Sequence, residues 1–434
     1  MKVDRRDFLK FAAATGVTIP SWGYISTASA QTAGIYSGKV LINVLADGGI
    51  VGGWWTDPKN DPTVNSWRTP VNGVTPEPAI AAGLRMSPRG NNTAFLTAYA
   101  PHMMFINGIN QQTNDHGAGK RVSATGSLDM GYPNVSALFA NVYGRGLPFA
   151  WLNAAGGDVS VGAGLASPTP MPNGNTLVAL ANPNAVNLTT DLMKQADVDK
   201  ATAAQSARML AMNSRPDLTP RLNILSRQFL DYSEARATLA RIGQFIPATF
   251  NATFPQAHAG LVAAQAGLAA TLQLQTGGFD THGNCDQALG PANGNMGRLT
   301  NLLDFIWQTA ATMGIDNRLV VRVHSDFGRT TMNNGAGNDH WGPGGTNVIM
   351  ERNAPWAGRA FGATGPRYQS QRINPTTAAV DPVAGVTITP RHVHAALRTY
   401  LGINTTDPRF NLRVPANEMF DFFNPTIQTG YPTV

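Results

Sequence analysis

The sequence predicts an α/β protein built on a mostly parallel sheet with helices on both faces. Three observations lead there. The run "KVLINVLA" at 39–46 is nearly continuous in aliphatic and β-branched residues, and "RLVVRVH" at 318–324 is built on a valine-rich centre, as strands buried on both faces are. Amphipathic stretches at helical spacing alternate with these runs, the pattern of a parallel sheet with crossover helices. Three of the strand-like runs stop at loops carrying an acid, Asp47, Asp280 and Asp326, and α/β sheets collect ligands at that end of their strands.

Each element follows from local chemistry. The first thirty residues read as a targeting segment. The twin-arginine pattern Asp4-Arg5-Arg6-Asp7-Phe8-Leu9-Lys10 precedes an apolar stretch from Phe11 to Ile19, and Ala28-Ser29-Ala30 supplies a small-residue cleavage site. Residues 31–434 then form a single domain. After the strand at 39–46, which runs into Asp47-Gly48-Gly49, "MMFI" at 103–106 is a second strand. "NVSALFANV" at 134–142 has the spacing of a helix, and "LPFAWLN" at 147–153 that of a strand. Residues 154–185, rich in Gly, Pro, Asn and Ser, read as a long loop. A helical insertion is expected at about 186–246, split by Pro216 and Pro220. Gly260 to Ala269 reads as a helix and Thr271 to Gln275 as a strand. Leu299 to Met313 is an amphipathic helix that Gly314 ends. The strand at 318–324, a short strand from Asn347 to Met350 and a last helix from Pro390 to Leu401 complete the chain. There is no internal repeat.

Composition narrows the function. The chain has 32 basic and 26 acidic residues; removing the four basic and two acidic residues of the first thirty leaves a net charge of +4. The basic residues are scattered, with no stripe interleaved with aromatics, so nucleic-acid binding has no support. Past the targeting segment no apolar run approaches the roughly 20 residues of a membrane helix. The expected setting is periplasmic or extracellular, reached through the twin-arginine translocase. The single cysteine, Cys285, excludes an intramolecular disulfide and reads as a buried thiol.

Three of the eight histidines sit beside an acid in glycine- and asparagine-rich segments: His116 in "TNDHGAGK", His282 in "GGFDTHGN", and His340 in "GAGNDHWGPGG". Glycine surroundings let the backbone approach a ligand and add little to core packing. Mixed Asp and His donors suit zinc, manganese or iron, and carboxylate sets suit calcium. Asp280, His282, Asp326, Asp339 and His340 therefore form a candidate site for one or two divalent ions. Arg329, close after Asp326, is a candidate clamp for an anionic oxygen. The bland alternative is that these are turn residues. His324, in an apolar run, reads as sheet interior or edge. His392 and His394, two apart at a helix start, point to different faces and read as capping or surface residues. There is no G-x-S-x-G elbow, no P-loop and no H-E-x-x-H.

"GGFDTHGN" at 277–284, a helix, and "SDFGRTTMNNGAGNDHWGPGG" at 325–345 together resemble an uncharacterised family of twin-arginine-exported bacterial proteins, placed with the alkaline phosphatase/sulfatase superfamily. "LADGG" at 45–49, "TDPK" at 56–59 and "TPRHVHAALRTYLGI" at 389–403 look like its first strand and last helix. The resemblance implies a three-layer αβα sandwich with metals at the strand ends. It implies Asp280 and His282 on one metal, Asp326, Asp339 and His340 on another, and a further acid from Asp47. The superfamily's nucleophile is a Ser, Thr or modified Cys at a helix N-terminus. Here Ile50-Val51-Gly52-Gly53-Trp54-Trp55 follows Gly48-Gly49 and offers none. Ser123 and Thr125 become candidates through their place after His116, itself a candidate ligand. The expected activity is metal-dependent hydrolysis of phosphate or sulfate esters, with a small anionic ester or a surface polymer as partner. The alternative is a non-catalytic secreted protein that keeps the fold for binding.

Overall fold

The computed structural model describes residues 36–427 except 63, 65, 156–164, 183, 185–189, 216, 218, 220, 223–237, 284, 334–337 and 404–409. The first thirty residues, expected from the sequence to be a targeting segment, lie outside the described residues. In chain order the elements are β1 Val40–Ala46, the hairpin β2 Ala79–Ala81 and β3 Leu84–Met86, α1 Asn92–Tyr99, β4 Met103–Ile109, α2 His116–Thr125, α3 Val135–Tyr143 and β5 Phe149–Asn153. There follow β6 Thr169–Pro170, α4 Gly174–Ala181, α5 Gln195–Asn213, α6 Pro255–Gln265, β7 Ala269–Thr276, α7 Cys285–Leu289 and α8 Asn295–Thr312. The last are β8 Leu319–Ser325, the hairpin β9 Gly328–Asn333 and β10 Asn338–Trp341, β11 Gly345–Met350, β12 Arg359–Phe361 and α9 Pro390–Tyr400, with minor turns and bridges besides.

Eight strands form one sheet in the order β12-β4-β11-β8-β1-β7-β5-β6. Only β11 runs against its neighbours; the remaining pairs are parallel. The mostly parallel sheet predicted from sequence is thus present. Side chains alternate across the pleat and feed two separate cores. Val40, Ile42 and Val44 of β1, Val321 and Val323 of β8, and Leu272 and Leu274 of β7 pack on one face with Leu261 of α6 and Leu299, Leu303 and Ile306 of α8. Leu41, Val320 and Ile349 turn to the other face and meet Leu138 of α3 and Val393 and Leu397 of α9. Helix layers on both faces make the three-layer sandwich.

The second face is polar beneath α2 and α3. Asn43 donates to Ser136 Oγ at 2.7 Å, and Gln273 accepts from Asn134 at 3.0 Å. Arg322 and His324 are buried there too, so His324 is sheet interior as expected. No helix among the described residues is long and apolar enough to cross a membrane.

Several local expectations change. The loop expected at 154–185 contains β6 and α4. Asn173 caps α4 through Thr176 N at 2.8 Å, and Leu177 alone of its aliphatic residues is fully buried, too little to leave a periodic signal. The helix expected at 260–269 begins instead at Pro255, in the first turn where proline fits, and the chain turns at Gly267 into β7. Within the expected insertion α5 starts only at Gln195 and buries no residue; residues 223–237 and both prolines lie outside the described residues. The helix α2 was not legible at all, because Gly117 and Gly119 dilute its pattern and Val122 is its one large apolar residue. His392 caps α9, accepting from Thr389 N at 3.0 Å. His394 is not a surface residue: it is fully buried and bonded to Ser123 O at 2.8 Å.

Candidate metal centre

The neighbouring strands β7, β1 and β8 end in line, with Ala46 in register with both Thr276 and Ser325. The loops that follow deliver Asp280, Asp47 and Asp326 to one edge of the sheet. Two glycines make that convergence possible. Gly48 has φ of 119°, and a Cβ on it would collide with the Asp280 backbone. A Cβ on Gly119 would come within 2.6 Å of Asp326 O, so the absent side chain lets α2 lie directly on the end of β8.

Helix α2 starts at His116, with Asp115 as its cap accepting from Ala118 N at 2.7 Å. The β9–β10 hairpin presents His340 opposite Arg329. His282 stands in the left-handed region, φ 39°, and bridges to Asn338 of the same hairpin. Three imidazoles from three segments thus surround the Asp280 carboxylate. His282 Nε2 lies 2.9 Å from Oδ1, His340 Nε2 3.3 Å from Oδ1, and His116 Nε2 3.6 Å from Oδ2. The rings touch: His116 meets His340 edge-on at 4.5 Å, and His282 lies 5.0 Å from His340.

The outer nitrogens explain the orientation. His340 Nδ1 lies 2.9 Å from Asn114 O, which can only accept, so Nδ1 carries a proton and in the neutral ring Nε2 turns a lone pair inward. His116 Nδ1 lies 2.7 Å from Asp326 Oδ2, with the same consequence. Metal-binding histidines are fixed in this way by a carbonyl or carboxylate on the far nitrogen. Neutral rings aimed at a carboxylate would repel it unless a cation stood between them, whereas protonated rings would donate to it. The donor set therefore fits a divalent ion. Two triads bring one donor atom each within 4.8 Å of one another: His116, Asp280 and His340; and His282, Asp339 and His340. Asp339 Oδ1 is 3.8 Å from His282 Nδ1 and accepts from His340 N at 2.8 Å.

Electrostatics separate the acids. Burial pushes the Asp280 carboxyl up, but the bonded Arg329 guanidinium, with lesser help from His282 and His116, holds it below the usual carboxylate range. Asp326 is fully enclosed; burial raises its carboxyl, the Asp47 charge adds to the rise, and the His116 bond opposes it.

The other expected site residues fall elsewhere. Asp47 belongs to neither triad. Its Oδ1 binds Lys120 Nζ at 2.6 Å and its Oδ2 accepts from Gln275 at 2.5 Å. Arg329 is buried, and its N–H groups go to Gly48 O, Gly49 O, Asn338 O and Asp280. It locks the loops together and does not face an open site. Ser123 and Thr125 are buried on α2, away from the triads. Ser123 Oγ contacts Lys120 O at 3.2 Å and His324 Nδ1 at 3.0 Å; Thr125 Oγ1 donates to Arg121 O at 2.9 Å. Ile50 and Val51 are core residues. Cys285 is buried, and burial together with the nearby Asp286 charge pushes its thiol up to about 12.

Sequence reasoning missed Lys120. It lies four residues after His116 and so on the same side of α2. Partial burial works against its charge, but the Asp47 carboxylate outweighs that and its pKa is raised. The i,i+4 spacing of His and Lys was visible; without the helix it had no meaning.

Residues 39–365, well over half of the chain, match the family described as "Protein of unknown function (DUF1501)". No curated protein matches the chain. Among solved structures, the lipoteichoic acid synthase LtaP from Listeria monocytogenes aligns with TM-score 0.32 at 10% identity, covering 91% of this chain and 78% of its own. A likeness that loose carries no argument about activity.

Proposed function

The chain belongs to the DUF1501 family, and from that premise we propose that the histidine-rich centre binds a divalent metal in an exported hydrolase of phosphate or sulfate esters. One observation carries the metal: three imidazole nitrogens converge on Asp280, two of them with their far nitrogens tied so that lone pairs point inward. His116, His282, His340 and Asp280 are the proposed ligands, with Asp339 completing the second triad. Nitrogen donors in this number favour zinc, manganese or iron over calcium. A divalent ion held there supplies Lewis-acid charge beside a scissile ester and acidifies water. Asp326 positions His116, and Arg329 fixes Asp280 and the glycine loop after β1. With Ser123 and Thr125 enclosed, water is the nucleophile this reading requires. The ester class rests on the resemblance of the two signature motifs to the alkaline phosphatase/sulfatase superfamily, and export on the twin-arginine pattern.

A second reading, a metal-holding protein without turnover, draws on the same burial of Ser123 and Thr125 and on the full engagement of Arg329. One experiment separates them. Bound metal is measured by elemental mass spectrometry on the native chain and on Asp280→Ala and His340→Ala, beside hydrolysis of aryl phosphate and aryl sulfate esters. The hydrolase reading expects one or two equivalents of metal, lost in both variants together with turnover. Metal without turnover supports the binding reading. A native chain without metal, equally stable in both variants, makes the centre a structural turn and sinks both.

A further inference from the structure

Neither triad of the centre contains a lysine or arginine to meet a substrate's negative charge beside the metal. Arg329 and Lys120 are two such cations that contact the acids at the strand ends. Arg329 is spent, fully enclosed and bonded to three backbone carbonyls and Asp280. Lys120 differs on each count. Its side chain is 40% exposed, and Asp47 is the partner its ammonium shows at bonding distance, 2.6 Å. An ammonium has three N–H donors, so donors remain. It stands one helical turn from His116 on the same side of α2, near enough to Asp326 for each to shift the other's titration. Asp47 is itself pinned by Gln275, which keeps the ammonium beside the strand ends.

We propose that Lys120 is the anion-binding residue of this site, taking an oxygen of a tetrahedral oxyanion, phosphate or sulfate, held against the histidine cluster. This rests on the metal reading of the centre. The role sequence gives to Arg329 passes to Lys120, because a guanidinium buried among carbonyls cannot reach outward and an ammonium on a helix flank can. The competing explanation is structural: the Lys120–Asp47 pair would merely tie α2 to β1.

Calorimetric titration of inorganic phosphate, and separately of sulfate, into the full chain tests this, with metal content measured on the same samples. Three variants are compared. Lys120→Met removes the charge and the tie, Lys120→Gln removes the charge but keeps a donor for Asp47, and Lys120→Arg keeps the charge. The expected result is phosphate affinity about tenfold or more weaker in Lys120→Met and Lys120→Gln, from loss of one charged hydrogen bond, and nearly preserved in Lys120→Arg, with metal content unchanged in all three. The preference between the two titrants names the ester class. Native phosphate affinity in Lys120→Gln overturns the proposal, as does a native chain that binds neither anion. If the native chain carries no metal, the metal reading fails by itself. The phosphate series then still decides Lys120: a tenfold loss sustains its role, and no loss removes it.

Discussion

His116 Nδ1 lies 2.7 Å from the carboxylate of Asp326, a side chain with no exposure to solvent. That contact decides which nitrogen of His116 faces Asp280. If it orients a ligand, Asp326→Asn should leave the fold intact and weaken metal binding by about 10–100-fold, the usual cost of losing such a partner. Competition with a chelating dye measures it. Native affinity in the variant would mean that His116 is not held for a metal.

The end of β1 depends on Gly48. Its φ of 119° and the Asp280 backbone behind it leave no place for a side chain. Gly48→Ala should cost about 2–4 kcal/mol, from strain at the backbone and from overpacking together. Urea melts report the loss. A variant within about 0.5 kcal/mol of native would show that the loop yields freely, contrary to this geometry.

A buried cationic group holds the far end of α2. Ser123 O accepts from Arg322 at 2.8 Å and from His394 at 2.8 Å, and Thr125 O accepts from Arg398 at 2.7 Å. Cations suit the carbonyl end of a helix. The same surroundings hold His394 neutral: burial first, then the Arg322 and Arg398 charges, push its pKa well below 6.5, and burial with Arg322 does the same to His324. In the unfolded chain each takes a proton near pH 6.5, while in the fold it does not until far lower. Their contribution to stability is therefore full above that pH and falls as the solution is acidified, by up to about 1.4 kcal/mol per pH unit for each. Urea melts at pH 7 and pH 5 should show a smaller acid loss in His394→Gln than in the native chain. Equal losses would refute the assignment.

Cys285 should behave as a core atom. With its thiol pushed up to about 12 by burial, it should react with an aromatic disulfide reagent at pH 8 only after denaturation. Fast labelling of the folded chain would show an accessible thiolate, contrary to its burial.

The central strands β1 and β8 were legible because aliphatic and β-branched residues dominate them, with only Asn43 in the one and Arg322, His324 and Ser325 in the other; no tertiary information is needed to read them. The acids that follow them were legible for the same reason. Helix α2 was not, since two of its first four residues are glycines, one of which, Gly119, serves the close approach to Asp326 at the end of β8. Missing it also hid Lys120 and made Ser123 and Thr125 look available. The partners of Asp47 and Arg329 were not legible because they are distant in sequence: Lys120 and Gln275 for the one, Gly48 and Asp280 for the other.

By itself the sequence determined the mostly parallel sheet, the acids at three strand ends, and the pairing of histidine with acid in glycine-rich loops. These are local matters of periodicity and residue type. The tertiary structure alone decided that three imidazoles share one carboxylate, which nitrogen of each fixed ring points inward, and that the guanidinium is enclosed while the ammonium is not. Register across β7, β1 and β8 and the close packing of α2 on Asp326 set those distances, and neither is written in any single segment of the chain.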